Sequence, residues 1–383
     1  MVISNRFNLL WGIYRKRIEV DKLSIFYKRI FFLLFWIFIG GYLFPFTKKP
    51  YDSKVTLSQK EEFIGFPSDI AVLEDECYVI SDAKTQTILF YDRNGRYLKS
   101  WRTVGQGPGE YQGMWWNDYS KPYLGVFDGR TQKLILYQRV DLADFKWIND
   151  VHELSGNVKN FKIEKDKIFF DVPFFFKNNY YYIHFMDFQG KNDGYCLPAA
   201  VRYGKAPEDD FRKAQAEFAI LWGTAMSYID VFDGFVYTAW KGMLEVQKVD
   251  INTKKWISFS HKTKNYSQPE IWKATREDLK KASQWARENK PKFSWITGIF
   301  ADADKVGLLY LSYNKKESCW EPFLQLYDGN GVFFSEEQLA GARAISETLR
   351  YFYSRDTGCL YILNMKELDS GDIEYEILKY KIR

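Results

Sequence analysis

The chain has 383 residues, of which 46% are hydrophobic and 19% are aromatic. This apolar content is sufficient for a large core, and it excludes a disordered, collagen-like or disulfide-scaffold protein. The abundance of aromatic residues favours strands over helices, because flat rings pack well on a pleated surface. The formal net charge of +5 would by itself suggest a nucleic-acid partner.

The excess of basic over acidic side chains lies at the N-terminus. Residues 1–30 contain seven basic side chains and two acidic ones, Glu19 and Asp21, so the rest of the chain is neutral. The net charge therefore gives no reason to expect nucleic-acid binding. It instead predicts a basic cytoplasmic leader over residues 1–29.

An apolar segment follows the leader. Residues 30–47 contain no charged side chain, and Lys48 and Lys49 come directly after them. A membrane-spanning helix needs about 20 apolar residues, and an excess of basic residues marks its cytoplasmic side. We expect a transmembrane signal anchor over 30–47, a linker over 48–54 and a periplasmic body, as in a single-pass protein of a bacterial inner membrane.

Three alternatives for this segment remain open. A cleaved signal peptide would need small residues after the apolar stretch, but Tyr42, Leu43 and Phe44 stand there. The segment could also be a buried core helix of the folded body. The long leader leaves open a true start further downstream.

From residue 55 onward the chain repeats one plan of short strands separated by polar turns. The second strands of the repeats begin at Cys77, Tyr123, Lys167, Phe235, Leu308 and Cys359. Repeats of about 45 residues with several strands each are typical of β-propeller blades. The sequence predicts an all-β protein, a six-bladed β-propeller over 55–383, with an antiparallel sandwich as the alternative.

Propellers close when a strand from one end of the chain completes the blade at the other end. We expect residues 55–59 to pair as an edge strand with residues 375–382 in the last blade. Deleting the N-terminal strand should then destabilise the whole ring.

The first repeat carries the most specific motif. Its members are Asp69 in the first strand and the later run Gly105, Gln106, Gly107, Pro108, Gly109, Glu110 and Tyr111. This repeat resembles NHL-type and TolB-like repeats of six-bladed β-propeller proteins in bacterial envelopes. The resemblance implies a propeller with an envelope location. Later repeats depart from the motif, so no ligand contacts follow from it.

The glycine-rich run is interpreted as a structural blade junction. Gly and Pro allow the chain to turn sharply from an outer strand into the next blade. Asp69 and Glu110 are expected to accept hydrogen bonds from backbone amides there. A phosphate-binding loop is not supported, because no Lys-Ser/Thr pair follows and no helix begins there.

Two connections are longer than the repeat requires. Residues 269–293, between the fourth and fifth repeats, predict a short helix that Thr275 caps and Pro291 ends. Residues 206–222 suggest a second short helix between the third and fourth repeats. Such insertions either carry a binding surface or cover a blade edge.

No catalytic residue can be assigned from spacing. The three histidines lack metal-ligand spacing, so we expect no metal and no cofactor. Trp115, Trp116, Trp272 and Trp285 are candidates for ligand contacts, with core packing as the alternative.

The function predicted from the sequence is a binding or scaffolding module for a glycan, a peptide or a partner protein of the envelope. The alternative is a lyase or hydrolase with its active site at the central channel. It would require carboxylates and a His or Tyr from several blades to converge at one channel mouth. A sensor is a third possibility, but the cytoplasmic segment is too short for an ordinary signalling domain.

Overall fold

A computed structural model describes residues 47–152, 158, 160–171, 181–191, 194–198, 227–269, 284–285, 288–344, 346 and 348–382. The chain divides into two compact units, Met1–Thr47 and Lys48–Arg383. The predicted leader and residues 30–46 of the predicted anchor lie outside the described residues. Within the described ranges, no helix is long and apolar enough to cross a membrane.

The strands form six antiparallel sheets, the blades of a propeller, after two short N-terminal strands. These two strands are β1 (Thr47–Lys49) and β2 (Ser53–Thr56). Blade 1 contains β3 (Pro67–Val72), β4 (Tyr78–Asp82), β5 (Thr87–Tyr91) and β6 (Tyr97–Trp101). Blade 2 contains β7 (Met114–Ser120), β8 (Tyr123–Asp128), β9 (Lys133–Asp141) and β10 (Asp144–Val151).

The next two blades have the same four-stranded order. Blade 3 contains β11 (Asn160–Glu164), β12 (Lys167–Asp171), β13 (Tyr181–Asp187) and β14 (Gly194–Pro198). Blade 4 contains β15 (Ser227–Phe232), β16 (Phe235–Trp240), β17 (Val246–Asp250) and β18 (Trp256–Phe259).

The last two blades receive the N-terminal strands. Blade 5 contains β19 (Trp295–Ala301), β20 (Val306–Asn314), β21 (Cys319–Tyr327) and β22 (Phe333–Leu339). Blade 6 contains β23 (Arg350–Ser354), β24 (Cys359–Glu367) and β25 (Ile373–Lys381). The predicted six-bladed, all-β propeller is confirmed, and each predicted second strand overlaps the second strand of its blade.

The hydrophobic core lies in layers between neighbouring blades. Successive side chains of a strand point to opposite faces of the sheet, so each blade contacts both neighbours. In β4, Tyr78 and Ile80 pack toward Ile377 of blade 6, whereas Val79 packs toward Leu124 of blade 2. These strands are therefore apolar on both faces, which explains why the sequence shows continuous apolar runs there.

The ring closes as predicted. Strand β2 pairs antiparallel with β25, with Val55 opposite Ile377 and Thr56 opposite Glu376. This pairing makes β2 the outermost strand of blade 6.

Strand β1 makes an additional attachment that the sequence did not predict. It lies beside β22 as a fifth, outermost strand of blade 5. The amide of Ala340 donates to the carbonyl of Lys49 over 2.9 Å, and Lys49 pairs with Glu337 at 3.1 Å. Much of the segment expected to be a linker, residues 48–54, is therefore strand in two different blades.

The helix predicted over 269–293 stays a prediction, because the structure describes only residues 269, 284–285 and 288–293 of this range. Residues 284–285 and 288–289 are helical, and Asn289 Nδ2 donates to the carbonyl of Trp285 over 2.7 Å. A 3₁₀ turn at Lys290–Lys292 follows. The rest of that predicted helix, including Trp272, and the predicted helix over 206–222 lie outside the described residues.

Candidate functional site

The first strand of each blade lines a central channel. We call the face at which these six inner strands begin the start face. A cavity of about 70 Å³ lies at its channel mouth. Every blade contributes to its lining, through Asp69, Asn117, Lys162, Tyr228, Thr297 and Arg350. A second cavity, of about 50 Å³, lies closer to the ends of the inner strands.

Three inner-strand aspartates bind the backbone of the next blade. Asp69 of β3 accepts from the amide of Asn117 in β7 over 3.2 Å. Asp118 of β7 accepts from the amide of Ile163 in β11 over 2.8 Å. Each carboxylate thereby joins two inner strands that share no sheet.

Asp230 repeats this contact between blades 4 and 5. It accepts from the amide of Ala301, just at the end of β19, over 2.7 Å. A charge-assisted bond of this kind is stronger than one between neutral groups. The three aspartates thus fix neighbouring blades while placing negative charge in the channel.

Two cations compensate most of that charge. Lys162 Nζ donates to Asp118 over 2.7 Å, and nearby carboxylates raise the pKa of Lys162 against the opposing effect of burial. Arg355 donates to Asp230 over 2.8 Å and to Glu164 over 3.3 Å.

The inner strands of blades 5 and 6 are joined by a phenol instead. Tyr351 Oη accepts from the amide of Ile299 and donates to its carbonyl, each over 2.9 Å. Gly298 makes room for this ring, because a Cβ at that position would lie 2.3 Å from Tyr351 Cε1.

Arg350 is the channel cation with the least compensation. Among the described residues, its guanidinium makes one hydrogen bond, from Nε to the carbonyl of Pro67 over 3.3 Å. Burial lowers its pKa, and the charge of Asp69 opposes that change. Burial also raises the pKa of Asp69 to about 6, against the lowering effects of Arg350 and Lys162.

The predicted junction motif forms a tightly bonded loop between β6 and β7. The amide of Tyr111 donates to the carbonyl of Thr103 over 2.9 Å, and the Gly105 amide donates back to the Tyr111 carbonyl over 3.0 Å. Glu110 accepts from the amide of Gly107 over 2.7 Å. Gln106 and Pro108 are exposed. This loop faces blade 2, where Tyr137 Oη donates to the carbonyl of Gly109 over 2.7 Å.

Residues of blade 2 contact the second half of the loop. Asp150 accepts from the amide of Gly109 over 3.1 Å and forms a buried ion pair with Lys133 at 3.0 Å. Gly109 has φ +72°, and a Cβ there would lie 2.9 Å from Trp147 Cδ1. A larger residue at 109 would therefore be both strained and crowded.

Trp116 lies at the channel mouth, and Trp115 lies beside it, over Gly129 in the turn between β8 and β9. A bulge between Met114 and Trp116 interrupts the alternation of β7, and the two indoles meet edge to face with centroids 5.2 Å apart. Trp116 lines the start-face cavity, and Trp115 is 39% exposed. Together they form a partly exposed aromatic surface.

Trp285 lies elsewhere. Its ring is half-buried against the core between blades 5 and 6, 6.3 Å from the ring of Phe293. Of the four tryptophans selected from the sequence, Trp116 lines the channel mouth and Trp115 touches it from the outer side, whereas Trp272 lies outside the described residues.

Sequence reasoning missed the charged residues of the channel. Asp118, Lys162 and Arg350 belong to different repeats and share no short motif. One signal was present: a charged residue within an otherwise buried first strand recurs as Asp69, Asp118 and Asp230. An isolated charge in a buried strand needs a partner, so it marks the channel wall.

Comparison with protein families identifies the chain. Residues 56–256 match the family model DUF5128, described as a 6-bladed beta-propeller. The chain belongs to this family. A search among curated proteins finds no match.

Solved structures share the fold of this family member. A candidate exported protein of Bacteroides fragilis is 12% identical with a TM-score of 0.55, and the match covers 88% of this chain and 99% of the other. The structure of U3-55K matches at 10% identity and a TM-score of 0.48, covering 86% and 99%. Streptogramin B lyase matches at 9% identity and a TM-score of 0.43, covering 86% and 87%. At 12% identity, the likeness to the Bacteroides fragilis protein shows the fold alone.

Proposed function

We propose that the protein is a bacterial, membrane-anchored propeller that binds an envelope glycan at its start face. The observation that carries this proposal is the pair of indoles, Trp115 and Trp116, beside the channel mouth. Aromatic surfaces with a few polar groups nearby are typical of ligand sites, and flat rings offer stacking surfaces for sugars. The cavity of about 70 Å³ is too small for a sugar ring, so the ring would lie across the rim.

The long connections support the same face. The connection from β14 to β15 and that from β18 to β19 each join an outermost strand to the next inner strand. Because strands alternate in direction within a blade, both connections leave and re-enter the propeller at the start face. Added segments at one face of a rigid scaffold commonly carry binding residues.

The anchoring part of the proposal rests on the N-terminal sequence. An apolar segment at 30–47 behind a basic leader would place an NHL/TolB-like body in the periplasm. The structural relative described as a candidate exported protein is consistent with an exported body. Reporter fusions after residue 383 would test this: periplasmic reporter activity supports the topology, and cytoplasmic activity contradicts it.

Binding can be tested by screening the full-length protein in detergent against envelope glycans by thermal shift. We expect Trp115→Ala to weaken glycan binding at least tenfold. Trp256→Ala provides a matched control, since Trp256 is a similarly exposed indole on the outer strand of blade 4. Equal loss in both variants, or a response to peptides or proteins instead of glycans, would contradict the proposal.

One observation favours a second candidate function, a lyase or hydrolase. Two carboxylates, Asp69 of blade 1 and Asp118 of blade 2, line one channel mouth with Tyr228, and Asp69 has a pKa raised to about 6. A carboxyl group with such a pKa is suited to proton transfer near neutral pH. Both oxygens of Asp69 nevertheless accept backbone amides, from Ile70 and Asn117. Turnover of a bound glycan that disappears in Asp69→Asn would favour the enzyme.

A further inference from the structure

Arg350 has hydrogen-bonding capacity that the protein does not use. A guanidinium has five N–H donors, and that of Arg350 makes one long hydrogen bond within the described part of the chain. Its side chain lines the start-face cavity. Arg350 is only partly buried, so its remaining donors can reach an acceptor that enters the cavity.

The other charges near the cavity have partners. Lys162 is paired with Asp118, whereas Arg355 is paired with Asp230 and Glu164 nearer the other cavity. Asp69 and Arg350 influence each other electrostatically, but they form no ion pair within 4 Å among the described residues. Positive charge at this mouth is therefore least compensated at Arg350.

Asn117 provides a second unused polar group. It lines the same cavity and is 6% exposed, and its Oδ1 is buried without a hydrogen-bond partner among the described residues. Its Nδ2 donates to Ser81 Oγ. A ligand hydroxyl beside the guanidinium would satisfy this acceptor.

The size of the cavity restricts the group that can enter. A cavity of about 70 Å³ admits only a small group. This volume suits one carboxylate group, and the planar carboxylate matches the fork of a guanidinium. A sugar ring bearing that carboxylate would remain outside, next to Trp116 and Trp115.

We infer that the start-face cavity is a carboxylate site, in which Arg350 binds the acidic group of a uronic-acid-containing glycan. This inference rests on the proposed glycan-binding function and names its ligand class. Arg350 holds the carboxylate, Asn117 accepts a neighbouring hydroxyl, and the two indoles contact the ring.

The test is calorimetric titration of the full-length protein in detergent with sodium glucuronate, glucose, sodium acetate and inorganic phosphate. We expect glucuronate to bind at least tenfold more tightly than glucose, and Arg350→Gln to abolish that difference. Arg343→Gln is the matched control, because Arg343 is an exposed arginine that pairs with Glu317 away from the channel. It should leave every affinity unchanged.

A variant at Arg350 could fail to fold, so a competition experiment uses the wild-type protein. Excess acetate should displace glucuronate and leave any glucose binding unchanged. Failure of acetate to compete, or equal binding of glucuronate and glucose, would overturn the carboxylate site while leaving glycan binding in place. Displacement by phosphate as effective as that by acetate would also overturn it, since the inference requires a carboxylate-sized group.

The two proposals fail in different ways. Suppose that acetate binds through Arg350, but neither glucuronate nor any other glycan binds in a way that depends on Trp115. This result would retain the carboxylate site and overturn the glycan function. Absence of binding by glucuronate, acetate and glucose would overturn the carboxylate site, whereas the wider glycan screen would still decide the proposed function.

Discussion

Four of the six junctions between blades are built in one of two ways. Between blades 1 and 2, 2 and 3, and 4 and 5, an inner-strand aspartate binds a backbone amide of the next blade. Between blades 5 and 6, the phenol of Tyr351 binds both backbone groups of Ile299. The first kind places charge in the channel and the second kind does not.

The position of the phenol junction explains the difference. Strand β1 belongs to blade 5 and β2 to blade 6, so residues 50–52 form a second chain connection between these two blades. The pairs of blades that an aspartate joins have no such second connection among the described residues. The comparison indicates that the same carboxylates that join blades also create the charged channel mouth.

The largest effect is expected from removing the strands that distinguish blades 5 and 6. Deleting residues 47–56 together with the preceding segment removes β1 and β2 and leaves edges in both blades unpaired. We expect the melting temperature to fall by more than about 10 °C, because the ring can no longer close. Deleting residues 1–46 alone is the control. Equal melting of the two truncations in circular dichroism would show that neither strand matters for closure.

An aspartate junction can be broken at blade 2. Asp118→Ala removes the acceptor of the Ile163 amide and leaves Lys162 without its counter-charge. We expect a loss of about 3 kcal/mol in the free energy of unfolding, since removing one partner of a buried pair leaves the other charge buried and uncompensated. Urea denaturation measures it. Asp304→Ala, at an aspartate that is largely exposed, should cost almost nothing, and a similar loss in both would argue against a special role for the junction.

The Asp69 junction should make stability depend on pH. Burial raises the pKa of Asp69 from 3.8 to about 6, so the folded state holds the proton more tightly than the unfolded state. Its contribution to stability is therefore largest below about pH 4 and is lost as the pH rises to about 6. The stability difference between wild type and Asp69→Asn should decline over this interval by an amount on the order of 3 kcal/mol. A difference that stays constant from pH 4 to 7 would contradict the raised pKa.

The phenol junction should be the least sensitive. Tyr351→Phe keeps the ring beside Gly298 and removes the two hydrogen bonds to Ile299. The expected cost is about 1 to 2 kcal/mol, because only neutral bonds are lost. Tyr51→Phe, at a more exposed ring, is the comparison in the same urea series. A loss as large as that of Asp118→Ala would remove the distinction between the two kinds of junction.

The strands and the closure were predictable because their signals are local. The second strands are short apolar runs that end in turn residues, as at Asp82 and Asp128, and both carboxylates bind the amides of the following turn. Strand β1 was missed because Lys48 and Lys49 next to Pro50 are typical of a polar linker, and its partner lies almost 300 residues away in blade 5.

The candidate site was much less predictable than the fold. The Gly109 loop has a distinctive sequence, yet its contacts with Asp150 and Trp147 are structural. The channel residues, such as Lys162 and Arg350, come from separate blades, so only the closed ring brings them together. A search limited to neighbouring residues therefore selects the junction and overlooks the channel.

The attachment of β1 and β2 to different blades also determines how the propeller would respond to mechanical force. Tension applied at the N-terminus first acts on the pairing of β1 with blade 5, and the load reaches β2 in blade 6 only after β1 detaches. The ring would thus open in two steps at its own closure, and the first step would leave blade 6 complete. In a protein tethered by its N-terminal segment, β1 would therefore have to detach before any force reached β2, the strand that closes the ring.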